Sequence, residues 1–111
     1  IRLSLVGSEM CIRDSINTVM QVVLNVVAFD MPIQQAVNAP RLHHQWLPNA
    51  ISVERDGFPT ATLDALRAKG HLVRIGSQQG TAHSIAIDPR TGARLGAADP
   101  RDRDAGAAGH H

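Results

Sequence analysis

Hydrophobic positions between residues 15 and 30 recur at steps of three and four, which predicts a helix. The stripe consists of Ile16, Val19, Met20, Val23, Leu24 and Val27, widened by Val22 and Val26. Ser15 is a suitable N-cap, and the helix should end near Phe29 and Asp30. The polar side is narrow and consists of Asn17, Thr18, Gln21 and Asn25. Because most of the circumference is apolar, we expect this helix to be buried between layers.

Shorter elements follow this helix. Residues 32–38 predict a second helix that must end before Pro40. Residues 51–54 alternate as a half-buried strand, and a turn at Asp56 and Gly57 leads to a third helix opened by Pro59 and closed by Gly70. Three further strands are predicted at residues 71–75, 82–87 and 93–97, the last two forming a hairpin. This order predicts an α+β or layered arrangement.

Residues 40–48 separate the two halves of this pattern. Pro40 and Pro48 each exclude a continuing helix, and the only tryptophan lies between them. The segment should therefore be an extended run or a rigid loop of mixed polarity.

Composition narrows the possible function classes. Hydrophobic residues make up 43% of the 111 residues but aromatics only 3%, so the core must consist of aliphatic side chains. Eleven basic and ten acidic residues give a net charge of +1, which is not typical of nucleic-acid binding. The longest strongly apolar run is too short to span a bilayer. A single cysteine gives no disulfide framework.

The adjacent pair His43 and His44 suggests a metal site, but neighbouring side chains of an extended chain face apart. His71 and His83 would have to join from elsewhere, without any CxxC or HExxH spacing. We therefore predict no metal site, and expect a polar pair satisfied by hydrogen bonds beside a structural tryptophan.

The candidate nucleophiles are similarly weak. Ser84 adjoins His83, but no Gly-x-Ser-x-Gly elbow surrounds it. The five threonines are internal, so none has a free amine as its base: Thr18, Thr60, Thr62, Thr81 and Thr91. The loop GSQQG at residues 76–80 has too few glycines for a phosphate loop and no lysine after it.

Three arginines could bind carboxylates: Arg41, Arg101 and Arg103. Such arginines form structural ion pairs more often than they bind ligands, and the sequence offers three aspartates as partners: Asp99, Asp102 and Asp104. Spacing and composition alone thus predict an α+β chain without a catalytic centre.

Five segments, however, together resemble one enzyme family. The segment APRLHHQWLP at residues 39–48 is similar to a signature of the γ-glutamyltransferases, or glutathione hydrolases. Four further segments resemble the same family in the same order, at residues 18–22 with 25–26, 33–38, 66–71, and 80–85 with 96–101. The resemblance covers residues 15–111, and its His-His-Gln-Trp form is similar to bacterial members.

The resemblance implies the C-terminal part of the small subunit of an N-terminal-nucleophile hydrolase, an incomplete piece of a four-layer αββα sandwich. Members of the family cleave themselves to expose a threonine, which attacks the γ-glutamyl carbonyl of glutathione. Water or an amino acid or peptide then takes the γ-glutamyl group. The implied partners are glutathione and other γ-glutamyl compounds, the large subunit and the remainder of the small subunit. No cofactor is implied, and the implied location is periplasmic or extracellular.

Residues 1–14 depart from this resemblance. They are similar to a peptide produced when library-adapter sequence is translated, and we interpret them as a non-homologous segment, with a short strand at residues 3–6 as the alternative. The family's nucleophile, substrate ligands and adjacent glycines lie upstream of the first helix, so no catalytic or substrate-binding residue is assigned here. We therefore predict that the chain alone is inactive. The alternatives are a related acylase of the same fold and a non-catalytic binding or scaffold domain.

Overall fold

A computed structural model of the chain describes residues 2–6 and 12–108. The elements in chain order are β1 (Arg2–Val6), α1 (Ile12–Val27), α2 (Ile33–Asn38), β2 (Leu42–His43), β3 (Ile51–Glu54), α3 (Thr60–Ala68), β4 (Val73–Gly76), β5 (His83–Ile87) and β6 (Arg94–Ala97). They form two compact units, Ile1–Ala39 with Gly80–His111, and Pro40–Gln79. The mixed helix and strand content confirms the α+β prediction.

The first unit contains an antiparallel sheet in the order β1-β5-β6. The strand given as the alternative for residues 3–6 is present as β1, and the turn at Gly7 and Ser8 that belongs to this alternative lies outside the described residues. The interpretation of residues 1–14 as a non-homologous segment stays a prediction. The predicted hairpin is confirmed: Asp88 accepts the amide of Gly92 at 2.8 Å through its carbonyl and donates to the carbonyl of Ala93 at 2.9 Å. The core of this unit is small and aliphatic, as predicted: Val22, Val26, Ile33, Ala36, Val37, Ala82 and Ala97.

Helix α1 differs from the prediction in two ways. It begins at Ile12, so Ser15 lies inside the helix and is not its N-cap. The face that packs inward carries Thr18, Val22 and Val26, while much of the predicted apolar stripe is exposed: Ile16, Val19, Met20, Leu24 and Val27. The expectation of burial on most sides is therefore wrong for this chain. The apolar circumference is present, but only one side of it is covered.

The polar groups on the inner side of α1 are accommodated by hydrogen bonding. The amide of Asn25 donates to the carbonyl of Ala36 at 3.2 Å, which joins α1 to α2. After α1 the chain turns at Asp30, whose φ is 53°, and the amide of Met31 donates to the backbone carbonyl of Asn25 at 3.0 Å. Asn25, which the sequence places on the polar side, thus contributes to the α1–α2 contact.

The second unit is a sheet in the order β2-β3-β4, in which β2 is antiparallel and β4 parallel to β3. Helix α3 makes the crossover between the parallel strands, as such a connection requires. Helix α3 ends at Ala68, and Gly70 lies just beyond it as the predicted C-terminal cap, with a φ of 92° in the left-handed conformation that glycine adopts most readily. The hydrophobic core of the second unit consists of Ile51, Val53, Leu63 and Val73, and Phe58 and Leu66 pack against it.

Residues 40–48 are extended only at β2 and then form an irregular loop. Trp46 has a φ of 74° and is 75% exposed, and the bond between Leu47 and Pro48 is cis. The expectation of a structural tryptophan is therefore wrong for this chain. No helix within the described residues has the length and hydropathy of a bilayer-spanning segment.

Candidate functional site

The first unit has a buried carboxylate at Asp99, which is 0% exposed. Its Oδ2 accepts the backbone amide of Ala82 at 2.7 Å. Its Oδ1 accepts the backbone amide of Arg101 at 3.0 Å and the Arg101 guanidinium at 3.2 Å. A buried charge is tolerated only when such donors compensate its lost hydration. Asp99 therefore fixes the residue before β5 and the turn after β6.

The Arg101 guanidinium continues this network to α2. It donates to the carbonyls of Val37 and Ala39, both at 3.0 Å, while remaining paired with Asp99. These carbonyls lie at the C-terminal end of α2, where a helix leaves acceptors unsatisfied and favours positive charge. The structural ion pair predicted for Arg101 is thus confirmed. We refer to these two side chains and their partners as the Asp99–Arg101 clamp.

His83 lies at the edge of this clamp. Its Nδ1 accepts the backbone amide of Asp99 at 3.2 Å, and its Nε2 lies 3.4 Å from Oδ2 of Asp102. Because a backbone amide can only donate, Nδ1 carries no proton and the ring proton is on Nε2. One imidazole thus contacts two points of the turn that follows β6.

Ser84 does not share these partners. Its side chain is buried, and its hydroxyl donates to the carbonyl of Ala82 at 3.0 Å. The two neighbours on β5 are therefore engaged separately, as expected for adjacent strand residues. Their arrangement is structural and does not form a nucleophile–base pair.

A shallow cleft of about 240 Å³ lies beside His83. Its lining consists mainly of small residues of β5, β6 and the tail: Ser84, Ile85, Gly96, Ala97, Ala98, Gly106, Ala107 and Ala108. A Cβ added to Gly96 would lie 3.2 Å from the Cβ of Ala107, so the tail packs closely against β6. The lining therefore offers few groups that could hydrogen-bond to a ligand or react with it.

The second unit contains a separate polar cluster around Glu54. The carboxylate accepts the backbone amides of Arg41 at 3.0 Å and Gln79 at 2.7 Å. The Arg41 guanidinium donates to the carbonyl of Gln79 at 2.9 Å, and the Gln79 amide donates to the carbonyl of Ser52 at 3.0 Å. Arg41 is 1% exposed, so the cluster is buried, and it fixes one end of the loop at residues 76–80.

Each histidine of the pair makes a side-chain hydrogen bond, as predicted, although Nδ1 of His43 is buried without a partner among the described residues. Nε2 of His43 lies 3.1 Å from Oε1 of Gln45, and Nε2 of His44 lies 3.0 Å from Oδ1 of Asn49. The two rings therefore have different partners. In residues 2–6 and 12–108, no three side chains of the His, Cys, Asp and Glu types converge as a metal site.

The other candidates from sequence belong to different elements of the fold. Thr18 is buried in α1, His71 is exposed after α3, and Thr91 accepts the amide of Ala93 at 3.2 Å in the hairpin turn. Arg103 and Asp104 are exposed in the tail. The suggested pairing of Arg41 with acidic groups near Asp99 stays a prediction.

Sequence reasoning missed Glu54 and Gln79. Strict alternation along β3 places Glu54 on the face opposite Val53, yet both are buried. A charged residue that ends a strand before a turn is an ordinary surface pattern, so no signal distinguished it.

Comparisons with known proteins identify the family. Residues 8–109 match the model of the gamma-glutamyltranspeptidase family. The chain is 43% identical over 95 residues to the glutathione hydrolase proenzyme of Escherichia coli, covering 86% of this chain and 16% of that protein. It thus spans about a sixth of that relative's length.

Solved structures show the same fold. A gamma-glutamyltranspeptidase of Helicobacter pylori is 37% identical with a TM-score of 0.75, covering 78% of this chain and 48% of that one. A cephalosporin acylase of Bacillus halodurans is 29% identical with a TM-score of 0.67, covering 76% of this chain and 16% of that one. These neighbours confirm the predicted fold class, an incomplete part of an αββα sandwich of the N-terminal-nucleophile type. The chain belongs to the gamma-glutamyltranspeptidase family.

Proposed function

We propose that this chain is the C-terminal part of the small subunit of a γ-glutamyltransferase, or glutathione hydrolase. That parent enzyme would cleave the γ-glutamyl bond of glutathione through an acyl-enzyme on an N-terminal threonine. Water, amino acids or peptides would receive the γ-glutamyl group. The similarity that carries this proposal is the 43% identity to a glutathione hydrolase proenzyme over 95 residues.

Within this enzyme, the chain would act as a scaffold and would not supply reacting groups. The geometry supports this role, because the buried charged side chains bind backbone groups. Asp99 and Arg101 hold the start of β5 and the end of α2, and Glu54 holds the backbone at Arg41 and Gln79. No catalytic or substrate-binding residue is proposed within the chain.

The purified chain should therefore be inactive. The test is release of chromophore from a γ-glutamyl anilide, using protein produced in a host that lacks its own γ-glutamyltransferase. The parent, expressed from the complete gene, serves as the positive control and should turn the anilide over. Turnover by the isolated chain would contradict the scaffold role, and an inactive but folded and processed parent would contradict the proposed activity.

The proposed partners are the large subunit, the remainder of the small subunit, and glutathione or other γ-glutamyl compounds. The proposed location is periplasmic or extracellular. Fractionation of cells that express the complete gene tests this location, and recovery of the processed enzyme in the cytoplasm would contradict it.

A related acylase is the second candidate, because the chain resembles a cephalosporin acylase at a TM-score of 0.67. The upstream residues would decide between the two activities. Parallel assays of the parent on a γ-glutamyl anilide and a glutaryl anilide separate them. The two substrates carry the same terminal carboxylate and differ in the α-amino group, which only the γ-glutamyl anilide has, so preference for the glutaryl anilide would favour the acylase.

A further inference from the structure

We propose that His83 is a positioning residue that holds the Asp99–Arg101 clamp through its Nδ1 atom. The observation behind this proposal is the 3.2 Å hydrogen bond from the backbone amide of Asp99 to that nitrogen. Because Asp99 is 0% exposed, no solvent can readily replace this acceptor. The side chain of His83 thus satisfies a backbone donor at the centre of the clamp.

The effect of this contact extends to α2. His83 accepts the backbone amide of Asp99, and the carboxylate of the same residue accepts hydrogen bonds from the Ala82 amide and the Arg101 guanidinium. Arg101 in turn holds the carbonyls of Val37 and Ala39. Ala39 is the last residue of its segment before the second unit begins at Pro40. His83 therefore orients, through two intermediate residues, the position where the chain leaves the first unit.

The two nitrogens of the ring do not contribute equally. Nε2 faces Asp102 at 3.4 Å, with side chains 33% and 44% exposed, and pairs of this kind shift a folding equilibrium by roughly 1.5- to 5-fold. Leaving a buried backbone donor unpaired shifts it by roughly 5- to 150-fold. The Nδ1 contact is thus the dominant one.

Replacing His83 by side chains of different length tests which of its two ring nitrogens makes the important contact. The Oδ1 atom of asparagine can occupy the position of Nδ1, whereas the terminal amide of glutamine reaches the position of Nε2. Both side chains are polar and uncharged, so they separate the two contacts without changing the charge. His83→Asn should preserve the clamp, and His83→Gln and His83→Ala should loosen it.

The experiment compares these variants in the parent protein by amide hydrogen exchange of peptides covering residues 80–84 and 98–104. We expect exchange to accelerate roughly 5- to 150-fold in H83Q and H83A, and to remain within about 5-fold of the unmodified protein in H83N. D102N is the matched control. This variant retains Oδ1, which accepts the Asp104 amide at 3.1 Å, and its exchange rate should also remain within about 5-fold of the unmodified protein.

Equal exchange in H83N and H83Q, or greater protection in H83Q, would overturn the proposal. A second measurement is the fraction of precursor that undergoes self-cleavage, which should follow the same order. This measurement rests on the proposed function, whereas hydrogen exchange does not. Absence of cleavage in the unmodified parent would therefore count against the enzyme assignment and leave the exchange test of His83 valid.

Discussion

A carboxylate oxygen of Glu54 accepts the backbone amide of Arg41 at 3.0 Å, although the two residues are thirteen positions apart in the sequence. Its other oxygen accepts the amide of Gln79 at 2.7 Å. A single buried side chain thus joins the residue before β2 to the loop after β4. The arrangement requires two acceptor oxygens, and only a carboxylate supplies both.

Replacing Glu54 by glutamine should therefore destabilise the parent by about 1–3 kcal/mol, because the new NH₂ group cannot accept one of the two amides. The measurement is the urea midpoint of unfolding. D64N on the exposed surface of α3 is the control and should change stability by less than about 0.5 kcal/mol. Equal effects of E54Q and D64N would show that the two amides find other acceptors.

Replacing Arg41 by alanine should reduce self-processing of the parent. The change removes the buried guanidinium that donates to the carbonyl of Gln79, and leaving a buried acceptor without its donor costs about 1–3 kcal/mol. The measurement is the ratio of precursor to cleaved subunits on a denaturing gel. R74A, at an exposed position of β4, is the matched control and should process normally. Unchanged processing of R41A would contradict the proposed structural role.

The isolated chain should associate or unfold in part, because the exposed face of α1 carries large apolar side chains. Replacing Ile16 and Leu24 by glutamate should reduce association, as measured by sedimentation velocity. T62E on exposed α3 is the control for added negative charge and should have a smaller effect. A sharp cooperative melt of the unmodified chain as a monomer would contradict this prediction.

Asp88 should stabilise the β5–β6 hairpin at neutral pH. The amide of Arg90 donates to its carboxylate at 2.8 Å and is the main reason that the pKa of Asp88 lies below its ordinary value; Thr91 contributes less. Since the folded-state pKa is the lower one, this contribution is present above the unfolded-state pKa and is lost as pH falls through the folded-state pKa.

An NMR titration of the Asp88 carboxyl carbon measures this pKa. T91V is the matched variant, and it should raise the pKa only slightly because the Arg90 amide remains in place. A pKa of Asp88 at the ordinary value would show that the turn does not hold the ionised carboxylate.

Local rules predicted most of the elements, because turns and caps depend on neighbouring residues. The glycine cap at Gly70 after α3 and the hairpin around Asp88 are examples, since φ preference and short-range hydrogen bonds determine both. The N-cap preference of serine predicts that α1 starts at Ser15, but the helix begins at Ile12.

Burial was less predictable, because it depends on what lies opposite each face. The apolar stripe of α1 predicted cover on most sides, yet in this chain its outer side is exposed. Glu54 shows the reverse, since a charged residue beside a turn is buried by its contacts with Arg41 and Gln79. Both differences involve residues distant in sequence, and no local pattern encodes them.

Trp46, the only tryptophan of the chain, is 75% exposed on the loop that begins at Pro40. Indole emission shifts to shorter wavelength when the ring leaves water, so this residue provides an intrinsic fluorescent probe of one defined position. Binding of a tryptophan-free partner over the loop would therefore shift the emission of this chain to shorter wavelength, without any attached label.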